Sequence, residues 1–292
     1  MNFQKKALAI SKKLYSYQLK KIDTNELFFT DDVFFSEFHN SSSMLFLGYY
    51  SKDGIKLALE KYGIFDILRK KGLDNFEIFI DTKDTSRQRL SLYSDDNLLG
   101  EVVLGTKNFI LNSNFKTKYN GQKFDILAIE WMCLQNTHKK FTKERQCLPG
   151  QTYVGLGIGK FIMELIIIMC KRLKLSALLN IPEYFHNAYM YSIYFKYLEP
   201  EYEGKVKAIA RDLLKKYTLA EVSWAIDLNC VYENNKPFEW FISKQIIPIN
   251  PKLKNYCNSY KYKKLAKISY LNNHYTLDIN SLKEKNIPNL FL

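Results

Sequence analysis

The chain predicts a mixed α/β fold of the α+β type, with a mixed central sheet flanked by helices. A helical extension would precede the sheet and a mixed extension would follow it. Three observations carry this prediction. Apolar residues recur at helical spacing through residues 1–72. Apolar runs bounded by turn residues between Phe76 and Leu134 read as strands. A glycine-rich segment, Val154 to Lys160, then opens a long apolar run. The segments are accordingly 1–72, 73–201 and 202–292.

In order along the chain, Phe3 to Lys20 carries apolar residues at helical spacing with lysines between. Ile55 to Lys71 repeats the pattern and stops at Gly72. Phe76 to Ile80 reads as a strand. Leu90 to Tyr93, the polar turn Ser94 to Asn97 and Leu98 to Leu104 read as a hairpin. Phe124 to Leu134 is a further strand, and a polar, basic loop runs from Gln135 to Pro149. The helix from Gly159 to Leu173 is apolar nearly all round and should be buried against a sheet. Ser176 to Ile181 is a short strand closed by Pro182. Phe185 to Leu198 is expected to be an aromatic-rich helix, and Glu203 to Tyr217 another.

The segment Val154-Gly155-Leu156-Gly157-Ile158-Gly159-Lys160 is the most informative stretch. Glycines allow backbone N–H groups to turn toward a phosphate without a Cβ in the way. The helix behind adds the positive end of its dipole. The segment is not a Walker A loop, because Phe161 follows Gly159-Lys160 where Ser or Thr is needed. Nor is it a dinucleotide fingerprint, because Lys160 takes the third glycine position. A glycine turn that merely caps a buried helix is the plainer alternative.

Hydrophobic content of 47% in 292 residues suits a globular core and excludes a disordered chain. Five scattered cysteines, without a Cys-x-x-Cys pair, argue for free thiols and against a zinc site. The run Ala7 to Ile10 is too short for a signal core, and Phe161 to Cys170 is too short to span a bilayer. A cytoplasmic protein is the expectation. The net charge of +13 suits an anionic partner: nucleic acid, an acidic membrane surface, an acidic protein or a polyphosphate cofactor. Lysine interleaves with tyrosine from Lys252 to Lys264, a pattern that serves nucleic-acid binding or simply a solvated basic face.

Between roughly Phe76 and Glu201 the chain resembles the GNAT superfamily of acyl-CoA-dependent N-acyltransferases. The family's loop of the type Arg/Gln-x-x-Gly-x-Gly/Ala is matched by Gly155 to Lys160, with Val154 where the family usually has Arg or Gln. Its pattern Asn-x-x-Ala-x-x-Leu-Tyr-x-Lys is matched by Asn187, Ile193, Tyr194 and Lys196, with Met190 in place of alanine. The resemblance implies acetyl-CoA or another acyl-CoA as donor and an amine of unidentified kind as acceptor. It places Val154, Gly155, Leu156, Gly157, Ile158, Gly159 and Lys160 at the CoA pyrophosphate, and Asn187 on the cofactor arm. Backbone groups of Trp131, Met132 and Cys133 would hold the pantetheine and polarise the thioester. Tyr194 would protonate the departing thiolate.

Glu130 stands in the apolar run Ile129 to Met132, where a partly desolvated carboxylate would make a general base. An outward-facing glutamate is the alternative. His186 is a second possible base, although a lone His at a helix start is commonly structural. Two rival functions remain open. One is a non-catalytic binding module for a nucleotide-like ligand or nucleic acid. The other is a membrane-surface enzyme using the aromatic stretch Tyr184 to Tyr197 and the basic N-terminus.

Overall fold

A computed structural model describes residues 3–22 and 45–287. Residues 23–44, part of the predicted helical extension, lie outside the described residues. Helices α1 (Phe3–Ser11), α2 (Ser16–Lys20), α3 (Lys52–Lys61) and α4 (Ile64–Arg69) come first. Strands β1 (Phe76–Asp81), β2 (Gln88–Ser94), β3 (Asn97–Ile110), β4 (Lys123–Asn136) and β5 (Val154–Gly155) follow. Then come α5 (Gly159–Arg172), β6 (Ala177–Asn180), α6 (Phe185–Tyr191), β7 (Lys196–Tyr197), α7 (Pro200–Leu213) and α8 (Leu219–Asp227). The chain closes with β8 (Val231–Glu233), β9 (Lys236–Pro237), β10 (Gln245–Pro248), α9 (Pro251–Asn258), α10 (Tyr260–Asn272), β11 (Tyr275–Leu277) and α11 (Ile279–Glu284).

The α+β fold is the predicted one. Strands run in the order β1-β2-β3-β4-β6-β10-β7, with β5 on β4, and β11-β8-β9 make a separate three-stranded sheet. The chain forms two compact units that cut it differently from the three predicted segments. The first holds residues 1–107, 127–137 and 155–175; the second holds 108–126, 138–154 and 176–292.

In the first unit the N-terminal helices do not stand apart. Phe3 packs edge-on against Phe161 of α5, ring centroids 4.5 Å apart. The Arg172 guanidinium donates to the carbonyls of Ser11 at 2.6 Å and Leu14 at 3.1 Å. The predicted helix Phe3–Lys20 is two helices, because Ser11 turns its hydroxyl onto the Leu8 carbonyl and Gln18 accepts from the Tyr15 N–H, starting a new one. The predicted helix Ile55–Lys71 is likewise split. Gly63, at φ +75°, takes a conformation that other residues rarely adopt and ends α3. Phe65 of α4 stacks on Phe76 of β1 at 4.6 Å. The hairpin is as predicted, with Leu90↔Val102 and Leu92↔Gly100 in register and Asp95 at the turn.

The second unit is built round β10. Antiparallel pairs Gln245↔Asn180 and Ile246↔Leu179 join it to β6, and Gln245↔Tyr197 and Ile246↔Lys196 join it to β7. Opposite residues share a face, so Asn180, Gln245 and Tyr197 form a polar row across three strands. Phe185, Tyr197, Ile209, Val222 and Ile226 belong to the core beside it. The predicted helix from Phe185 to Leu198 stops at Tyr191, because Lys196 and Tyr197 are taken into the β10 ladder. The predicted helix Glu203–Tyr217 starts earlier, with Pro200 at its first turn, and ends at Leu213.

Helices α7 and α10 approach closely at Gly204. A Cβ there would lie 2.4 Å from the Ala266 carbonyl oxygen and 2.6 Å from the Ser269 Cβ. Gly204→Ala is therefore expected to force the helices apart and to destabilise the protein by about 1–3 kcal/mol, read from urea unfolding.

Candidate functional site

The glycine segment alternates strictly between core and surface. Val154, Leu156 and Ile158 are buried at 1–2% exposure, while Gly157 and Lys160 are exposed and Gly155 and Gly159 are partly so. Apolar side chains thus nail the segment down, and glycines leave its outer backbone bare. The Leu156 N–H donates to the Leu134 carbonyl at 3.1 Å, tying the segment to the end of β4. Gly157 sits at φ +73°, which turns the chain into α5. The side chains of Val154, Leu156 and Ile158 are inside and do not face a ligand.

Helix α5 begins at Gly159, its N-cap Ile158 offers no side-chain cap, and its first turn carries no acidic residue. The first N–H groups of a helix lack intrahelical acceptors, so this end presents donors and positive potential to an anion. Lys71 stands beside it: its ammonium nitrogen lies 3.6 Å from where a Cβ on Gly157 would be. Sequence spacing does not reveal Lys71, since residues 71 and 157 meet only through tertiary packing.

Strand β4 is held at both ends. The Ser176 N–H donates to the Asp125 carbonyl at 2.7 Å, and the Leu134 carbonyl receives Leu156. Trp131, Met132 and Cys133 fall in the stretch between these points. Trp131 is half exposed, Cys133 donates its thiol to Gln135 Oε1 at 3.4 Å, and burial, with Glu101 nearby, pushes that thiol's pKa up. A thiol held protonated is a poor nucleophile. Leu134 also fills the space beside Gly100 on β3, where a Cβ would come within 3.0 Å of its Cδ2.

Glu130 is partly buried. It is ion-paired at 2.5 Å with Lys107 of β3, and its side chain is 22% exposed. Lys107 lies on a neighbouring strand, where sequence spacing cannot show it.

In the second unit Asn187 is the third residue of α6 and half-buried, while Tyr184 takes the N-cap position, so Asn187 does not cap the helix. Tyr194 lies beyond the helix, its N–H bonded to the Tyr191 carbonyl at 2.9 Å in the turn that leads to β7. The aromatic stretch from Tyr184 to Tyr197 is divided: Phe185, Phe195 and Tyr197 are core, whereas Tyr189, Met190 and Ile193 are exposed. His186 is buried beneath Tyr184, with ring centroids 5.4 Å apart. Its Nδ1, Asn180 Nδ2 and Gln245 Oε1 are buried atoms without a hydrogen-bond partner. Burial pushes the His186 pKa down to about 4, so the ring is neutral.

Among the described residues no group of three His, Cys, Asp or Glu side chains is placed to hold a metal ion, and no helix is long and apolar enough to cross a membrane. No protein-family model matches the chain, and no curated protein matches it.

The neutral His186 makes acid stability testable. Its folded-state pKa lies below the ordinary 6.5, so the unfolded chain binds the extra proton. The associated stability is fully present above about pH 6.5 and drains away as the pH falls toward 4, by ~3 kcal/mol in all. Urea unfolding at about pH 7 and about pH 4.5 should show a smaller pH response in His186→Gln than in the wild type. An equal response in both would assign the acid sensitivity to other groups.

Proposed function

We propose that the chain is an N-acyltransferase that moves an acetyl or longer acyl group from acyl-CoA to an amine. The observation that carries this reading is the bare outer backbone of Gly155, Gly157 and Gly159 at the uncapped start of α5. The residues fit a CoA pyrophosphate: there are backbone donors, no first-turn carboxylate, and the Lys71 ammonium beside Gly157. The order of elements, with a hairpin, a long strand, the glycine segment, a buried helix and a short strand, also supports it.

In this reading the glycine N–H groups and Lys71 hold the phosphates. Backbone groups of Trp131 to Cys133 orient the thioester, and Asn187 contacts the pantetheine arm. Tyr194 gives a proton to the departing sulfur, and the amine loses one as it attacks. Glu130 would accept that proton after parting from Lys107. A binding module that transfers nothing is the second reading, and the Glu130–Lys107 pair favours it, since the carboxylate must part from an ammonium before it can reach an acceptor amine.

Calorimetric titration with CoA and acetyl-CoA tests the site. Gly157→Val is expected to weaken binding at least about tenfold, because a side chain at positive φ is strained and covers the donors. Lys71→Gln should weaken it about three- to tenfold, with no change in fold. Catalysis is tested separately by following free thiol release across a panel of amines. Tyr194→Phe should lower kcat by about ten- to a thousandfold while CoA affinity holds. CoA binding without turnover on any amine would establish the binding module instead.

A further inference from the structure

The second unit contains a basic cleft that the acyl-transfer reading does not use. It has a volume of about 380 Å³ and is lined by Lys196, Lys207, Lys263 and Lys267, with Glu203 and Tyr262 among the residues between them. Four ammonium groups against one carboxylate leave an excess of three positive charges around one concavity.

Glu203 organises half of this charge. It is 4% exposed, and its Oε1 accepts from Lys196 Nζ at 3.0 Å and Lys207 Nζ at 2.8 Å. Its other oxygen receives the Tyr197 N–H at 3.3 Å. Burial works to raise its pKa, but the Lys207 and Lys196 ammonium groups outweigh burial and hold it below the ordinary carboxylate range. A buried carboxylate therefore fixes two lysine heads in place. Each ammonium has three donors, and only one is spent on Glu203.

Lys263 and Lys267 complete the cleft from α10 and are exposed. They stand one helical turn apart, a spacing at which like charges repel. Such an arrangement costs stability unless an anion relieves it, and costs of that kind gather at functional sites. Of the tyrosines of the same segment, Tyr260 is 80% exposed but does not line the cleft, and the lining ring of Tyr270 has the Arg211 guanidinium 4.6 Å from its centroid. Tyr256 and Tyr262 are buried, and their hydroxyls donate to the carbonyls of Leu198 and Tyr197, each at 2.6 Å. Within the cleft, charge is concentrated and no row of open rings accompanies it, which favours a compact anion over a single-stranded nucleic acid.

We propose that the cleft between α7 and α10 binds a compact polyphosphate, such as the di- or triphosphate of a nucleotide or of a similarly charged metabolite. Its volume lies in the range of small-ligand pockets. This inference does not rest on the acyl-transfer reading, since the lysines involved are not those of the glycine segment.

The test is calorimetric titration of the full chain at low salt with sodium tripolyphosphate, and with ATP and AMP to distinguish a nucleotide from a bare polyphosphate. Saturable binding of tripolyphosphate is expected, weakening as salt rises. The double variant Lys263→Gln/Lys267→Gln should lose affinity at least about tenfold with a melting temperature, measured without ligand, no lower than that of the wild type. Lys283→Gln, an exposed lysine of α11 outside the cleft, should leave tripolyphosphate affinity as it was. The proposal is overturned if the wild type shows no saturable binding, or if the double variant binds as well as the wild type. It is also overturned if Lys71→Gln alone abolishes binding. An oligonucleotide that binds through Lys263 and Lys267 where tripolyphosphate does not would replace it with a nucleic-acid surface.

Discussion

The candidate site hangs on the attachment of a short extended segment to the end of one strand. The Leu156 N–H meets the Leu134 carbonyl, and Val154, Leu156 and Ile158 sink their side chains on one side. Everything the site offers follows from that anchoring. Because every second residue is an apolar peg, the residues between them face out, and because those are glycines, what faces out is backbone. Helix α5 then starts at a fixed place, with its donors directed at the same region. A more mobile loop with the same composition would have to be ordered by its ligand, at a cost in affinity.

Much of this was legible in the sequence, for a physical reason. The hairpin, β4, the glycine junction, α5 and β6 are specified by local signals: period, turn residues and length. The elements that were misread are those where a distant partner overrides a local preference. The aromatic run from Phe185 looks helical throughout, yet Lys196 and Tyr197 leave the helix to pair with Gln245 and Ile246. The first helical region breaks because Ser11 and Gln18 turn their side chains onto the backbone.

At the site the same division holds. The glycines were found by spacing alone, but Lys71 and Lys107 were not, since each reaches its neighbour only after the chain has folded. The Lys107 ammonium changes the chemistry open to Glu130 more than anything in the surrounding run of apolar residues. A similar lesson holds for Glu203. In sequence Glu203 is one of three glutamates, with Glu199 and Glu201, near the start of a helix, but burial makes it the point that fixes Lys196 and Lys207.

The place of β10 has a consequence for how the chain comes to be folded. This strand lies between β6 and β7, although it is made well after both, with α7 and α8 intervening in sequence. A chain emerging from the ribosome therefore completes β6 and β7 with no partner for the edges that β10 will join. Open strand edges are templates for association with other chains, and late, long-range pairing is slow. Until Gln245 to Pro248 have emerged, the polar row of Asn180 and Tyr197 lacks its central member. During that interval two strand edges that the finished fold covers stand open together.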